Sequence, residues 1–159
     1  MCHGHKFSHA CPLRRALELD EVDSTKVVML GIRKVEPEEW QFMVDERIIT
    51  FTAHEMSRHP IQWIADRVHS HLRGVQRLYW SIDIDVLDPA CAPGTGVPTP
   101  GGLTTRHLFD LLHALSDLPV TGFDVVEVSP PYDQAEITAF AAAAILMEMF
   151  GVVAESRGE

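Results

Sequence analysis

The stretch "YWSIDIDVLDPACAPGTGVPTPGG", residues 79–102, decides the fold class and poses the first chemical question. It reads as a buried strand and its exit loop, yet Asp83, Asp85 and Asp88 sit among Trp80, Ile82, Ile84, Val86 and Leu87. A lone buried carboxylate is costly unless it is paired or bound to a cation. Residues two apart on a strand face one side, so Asp83 and Asp85 are expected to present two carboxylates together. A divalent cation would relieve their repulsion; a strand end open to water is the alternative. Asp88 lies past the strand, where it would ligate, orient a ligand or cap the turn. The following loop holds four prolines and four glycines, which suits a rigid pocket wall better than a mobile linker.

Working outward from this stretch, strands alternate with helices. "VVMLGIR" (27–33) is a continuous apolar run of the kind found in strands covered on both faces. "EPEEWQFMVDE" (36–46) reads as a helix with Pro37 in its first turn, and "RIITFTA" (47–53) as a second strand. Residues 54–74 contain a helix with Ile61, Ile64, Ala65, Val68 and Leu72 at helical spacing and Gly74 at its end. The third strand is 75–85. The helix 104–117 carries Leu108, Leu111, Leu112 and Leu115, with Thr104 or Thr105 as cap. "VTGFDVVEV" (120–128) is the fourth strand, and a helix over about 135–154, apolar on most sides, is expected to be well buried. This alternation predicts an α/β fold, a three-layer α/β/α arrangement around a parallel sheet of about four strands. Ligands in open sheets of this kind bind beyond the carboxyl ends of the strands, where Asp83, Asp85 and Glu127 all fall.

The 159 residues, 46% of them hydrophobic, suffice for one domain and are too few for two ordinary ones. The net charge of −10 argues against nucleic acid or an anionic membrane as partner and suits a cationic small molecule. No apolar run is read as long and uncharged enough to cross a membrane, and no signal peptide is recognised. Cys2, Cys11 and Cys91 form no disulfide framework, so a reducing, cytoplasmic setting is expected.

Three segments together carry a family resemblance. "SIDIDVLDPACAPGTGVPTPGGLT" (81–104) closely resembles the aspartate-rich signature of the ureohydrolases, which include arginase, agmatinase and guanidinobutyrase. "GFDVVEVSPPYDQAEITAFAAA" (122–143) looks like the family's last strand and the start of its C-terminal helix, and "FSHACPLRRALE" (7–18) resembles an agmatinase-type segment. The resemblance implies an arginase-like fold and a binuclear manganese centre that hydrolyses a guanidino compound to urea and an amine. It makes residues 1–159 the C-terminal part of a single ureohydrolase domain, nearest to agmatinase, and a homo-oligomer in complete form. It implies that Asp83 bridges the two metals, that Asp85 ligates one of them and that Glu127 faces the guanidinium. His9 would take the place of the proton-shuttling histidine. Agmatine, guanidinobutyrate, arginine and related guanidino acids stay open as substrates.

The family's earlier ligand motifs, Gly-Gly-Asp-His and Asp-Ala-His-x-Asp, do not occur in this sequence. Only part of the ligand set is therefore expected here. The strand leading into the second motif would lie between strands 75–85 and 27–33, and its absence is expected to leave two strand pairs with a gap. A catalytically inactive remnant, acting as a binding or assembly partner, is the rival reading. Cys2, His3, His5, His9 and Cys11 are metal-binding residue types, but their spacing fits no standard zinc motif. His54, His59, His69, His71, His107 and His113 are read mainly as surface residues, and Cys91 as a small residue packed in the loop.

Overall fold

The alternation of strand and helix is realised, with element ends set by local chemistry. The computed structural model describes residues 6–157. The elements in chain order are α1 (Pro12–Ala16), β1 (Val28–Ile32), α2 (Pro37–Asp45), β2 (Ile49–Thr52), α3 (Ala53–Met56), α4 (Ile61–His71), β3 (Leu78–Asp83), α5 (Thr105–Ala114), β4 (Val120–Val126) and α6 (Ile137–Arg157). The α2 helix starts with a capping box between Glu36 and Glu39 and Pro37 in its first turn. Thr104 caps α5 by accepting the His107 N–H. The segment 54–74 holds two helices, because Ser57–Pro60 interrupts it and Ala53, expected in the strand, already begins α3.

Both β1–β2 and β3–β4 are parallel pairs, and among the described residues no ladder joins one pair to the other. The two strand pairs expected from the sequence are therefore separate ladders. What unites the pairs is a shared layer of helices. Ile64, Ile84, Leu87, Leu111, Leu112, Leu115, Ile145 and Met149 are fully buried in one cluster drawn from α4, α5, α6 and the β3 exit. Each such side chain contributes about 1.5–3 kcal/mol through removal from water.

The layering differs between the two pairs. Ile49 and Phe51 of β2 face α4, and Phe51 meets Trp63 edge-on at 6.1 Å. Thr50 points the other way and contacts Met43 of α2, so this pair lies between helices. On β3 the residues Tyr79, Ser81 and Asp83 are exposed, and that face of the second pair lies open. Asp124 of β4 accepts hydrogen bonds there from Tyr79 Oη (2.8 Å) and Ser81 Oγ (2.6 Å).

Two expectations about α6 need correction. Thr138, Ala142, Ile145, Met149 and Val152 are buried, but Ile137, Phe140, Leu146, Met147 and Phe150 are exposed. The helix is thus apolar all round yet covered only on the side that meets β4 and α5, where this chain has neighbours to offer. By length and composition alone, the 22 residues Gln134–Glu155 also pass as a membrane span, contrary to the sequence reading. A core helix buried along one stripe passes the same test.

Candidate active site

The carboxyl ends of β3 and β4 bring the sequence-designated residues together. Asp83 is the last residue of β3, but Asp85 lies beyond it, in the 3-10 turn Ile84–Val86. Strand alternation therefore does not set the relation of the two acids. The Asp83 carboxylate instead accepts the Asp85 N–H at 3.0 Å, folding the chain so that both acids sit at the strand end. Burial pushes the Asp83 carboxyl up to about 6; the Asp85 N–H opposes this, and the charges of Asp85 and Glu127 reinforce it. As a whole residue Asp83 is exposed, so water screens part of the effect. Burial likewise raises Asp85, with Arg33 opposing and Glu127 reinforcing.

Glu127 follows β4 directly and adopts a left-handed backbone, φ 65°. For a residue with a Cβ this costs about 1–2 kcal/mol, and strain of this sort clusters at functional sites. His9 Nδ1 lies 3.6 Å from Glu127 Oε1, too far for a direct hydrogen bond. The His9 side chain is 73% exposed, so it approaches the acid from the open side.

Arg33 escaped the sequence reading. It lies just past β1, and its Nη1 donates to the Val86 carbonyl at 2.8 Å while Nη2 donates to the Asp85 carbonyl. Nη2 also lies 3.4 Å from Asp85 Oδ1. The available signal was its place at a strand's carboxyl end in a sheet whose other ends are acidic.

The loop after the acids is rigid for visible reasons. Asp88 is a cap: its carboxylate accepts N–H bonds from Ala90 (3.0 Å), Gly101 (2.8 Å) and Gly102 (3.2 Å). These donors, Ala90 first, hold its carboxyl below the usual carboxylate value. Gly94 donates to the buried Thr138 Oγ1 at 2.7 Å, and its carbonyl accepts from Ser129 N at 2.8 Å. A Cβ on Gly94 would lie 2.4 Å from that of Asp133. The loop is thereby tied to the β4 exit and the start of α6, which fixes the segment carrying Glu127.

Among the described residues, no group of three or more His, Cys, Asp or Glu side chains could hold a metal ion. Cys2, His3 and His5 of the amino-terminal cluster lie outside the described residues. Cys11 is buried, with Ser8 Oγ at 3.4 Å, and Cys91 is half-buried in the loop. His54, His59, His107 and His113 are exposed as read, whereas His69 and His71 are half-buried. His69 Nε2 lies 3.2 Å from the Ala114 carbonyl, linking α4 to the end of α5. A cavity of about 800 Å³ lies along α4 beside His59, Trp63 and Arg67. Glu55 is the one carboxylate among its lining residues. A second cavity, about 590 Å³, adjoins Arg33, Thr52 and Gly101 at the carboxyl ends of β1 and β2.

Comparison with known proteins identifies the family. The model of the arginase family matches residues 1–151. This chain belongs to the arginase family. It is 37% identical over 157 residues to an agmatinase of Escherichia coli (strain SE11), covering 99% of this chain and 49% of that enzyme. Proclavaminate amidinohydrolase of Streptomyces clavuligerus is 37% identical over 149 residues, covering 92% of this chain and 47% of the relative. The solved structure of that amidinohydrolase superposes with a TM-score of 0.88 at 36% identity, over 97% of this chain and 50% of the other. Arginase from Bacillus caldovelox gives 0.76 at 31% identity, over 82% and 44%. The chain spans about half the length of the curated relatives it matches, which fits a C-terminal portion of the arginase fold.

Proposed function

We propose that this chain supplies the guanidinium-facing side of a ureohydrolase site, in which a linear guanidino compound of the agmatine type is hydrolysed to urea and an amine. The observation that carries this reading is the convergence of Glu127, His9, Asp83 and Asp85 at the carboxyl ends of β3 and β4. In the reaction, water adds to the guanidinium carbon, the bond from that carbon to the alkyl nitrogen breaks, and the departing amine takes a proton. Glu127 is suited to accept two parallel N–H bonds from a planar guanidinium and so orient it. His9, exposed and beside Glu127, is suited to hand the proton to the amine.

Manganese, a cytoplasmic setting and homo-oligomeric assembly complete the proposal. Asp83 and Asp85 are oxygen donors of the right kind for manganese, but the described residues fall short of a metal-holding group. A metal-bound form therefore needs ligands beyond them. That shortfall also favours the second reading, a catalytically inactive remnant that acts in binding or assembly.

The two readings separate in one experiment. Manganese content and urea release from agmatine, guanidinobutyrate and arginine are measured for residues 1–159 and for a fusion of this chain to the amino-terminal half of the E. coli agmatinase. The catalytic reading expects turnover in the fusion, abolished by Asp83→Ala with a reduced manganese content, whereas Glu127→Gln spares the manganese and weakens binding of the guanidino substrate. A folded, manganese-loaded fusion that releases no urea would establish the remnant instead. Robust turnover by residues 1–159 alone would refute the incomplete site.

A further inference from the structure

The cation facing the acidic strand end comes from the chain itself. We infer that Arg33 is the resident counter-cation of Asp85, so that in residues 1–159 a guanidinium, without a metal ion, organises the turn that carries this acid. Nη1 and Nη2 donate to the carbonyls of Val86 and Asp85, the last two residues of the turn, and Nη2 faces Asp85 Oδ1 at 3.4 Å. The Arg33 side chain is only 10% exposed, and an arginine does not shed its proton to escape burial. Its Nε is buried with no hydrogen-bond partner among the described residues, so the side chain is held by what its two terminal nitrogens reach. The neighbouring backbone is built to bring it there. Gly31 breaks the β1 register and approaches Val86 so closely that a Cβ would fall 2.4 Å from Cγ2. The donor set agrees, since no metal-holding group exists among the described residues.

A fixed positive charge beside Asp85 competes with any incoming cation. None of these contacts depends on turnover, so residues 1–159 are the proper test material whatever the fate of the ureohydrolase reading. Manganese ion alone is titrated into wild type, Arg33→Lys, Arg33→Gln and Arg33→Met, with free Mn²⁺ followed by electron paramagnetic resonance and unfolding followed with and without EDTA. Wild type should bind Mn²⁺ weakly and unfold at the same temperature in EDTA. Arg33→Met should lose about 5–10 °C in EDTA and bind Mn²⁺ on the order of tenfold more tightly. Arg33→Gln keeps hydrogen-bonding capacity without the charge, so it guards against simple misfolding and should show the same gain. Arg33→Lys keeps the charge without the fork and should match wild type in affinity. Equal affinity across all four proteins, weaker binding in the neutral variants, or tight stabilising binding by wild type would overturn the assignment.

Discussion

Gly31→Ala tests whether the two strand pairs are docked through the turn that carries Asp85. Gly31 has φ +79°, and a Cβ placed there would lie 2.4 Å from Val86 Cγ2 and 3.8 Å from Val86 Cβ. The left-handed backbone costs an alanine about 1–2 kcal/mol. Displacing the valine methyl adds about 1–3 kcal/mol of overpacking, while the stiffer unfolded chain returns about 0.4–1 kcal/mol. The net loss is about 1–5 kcal/mol, which for a chain of this size lowers the melting temperature by about 2–18 °C. Urea denaturation followed by far-UV circular dichroism should show a lower midpoint with an unchanged slope. Only the methyl at 2.4 Å clashes, so adding Val86→Ala should recover the steric part and leave the backbone part, a coupling of about 1–3 kcal/mol. Gly31→Ala within about 0.5 kcal/mol of wild type, or no recovery in the double variant, would refute the docking of β1 on the turn.

Thr138→Val is nearly isosteric but leaves the Gly94 N–H without its buried acceptor, so it should cost about 1–3 kcal/mol by the same denaturation assay. Glu127→Gly removes the strain at φ 65°; it should retain stability while abolishing urea release in the fusion enzyme, separating the residue's structural cost from its chemical use. The folded Asp88 carboxyl sits below its ordinary 3.8, so its contribution to stability is present above that pH and lost as pH falls through the folded value. Asp88→Asn should accordingly flatten the acid limb of a stability-against-pH curve below about pH 4. Phe140→Ser with Met147→Ser lies on the exposed side of α6; stability should change by no more than about 0.5 kcal/mol, while light scattering should report less self-association.

The reading of the acidic stretch illustrates what sequence pattern conveys about a site. That Asp83, Asp85 and Glu127 fall near strand ends was legible, because a strand's carboxyl end is a property of local order and composition. Their mutual geometry was not legible. Strand periodicity places Asp85 on the same side as Asp83, whereas a side chain to backbone hydrogen bond turns the chain at Asp83. The role of Asp88 was likewise open until its three backbone donors were seen, two of them supplied from residues 101 and 102.

Sequence alone determined the alternation of the four strands with the longer helices, because helix stripes, caps and apolar strand runs are set by residues close together in the chain. Leu108, Leu111, Leu112 and Leu115 are buried as read, and Thr104 caps as read. A break between two strand pairs was also expected, and among the described residues no ladder joins them. Tertiary structure alone decided what fills the acidic strand end and what α6 leaves uncovered. Arg33 and Asp85 stand 52 positions apart, and no periodicity links residues so distant. An apolar helix looks buried from its composition, but burial requires neighbours on every side, and Ile137, Phe140 and Met147 have none that cover them among the described residues.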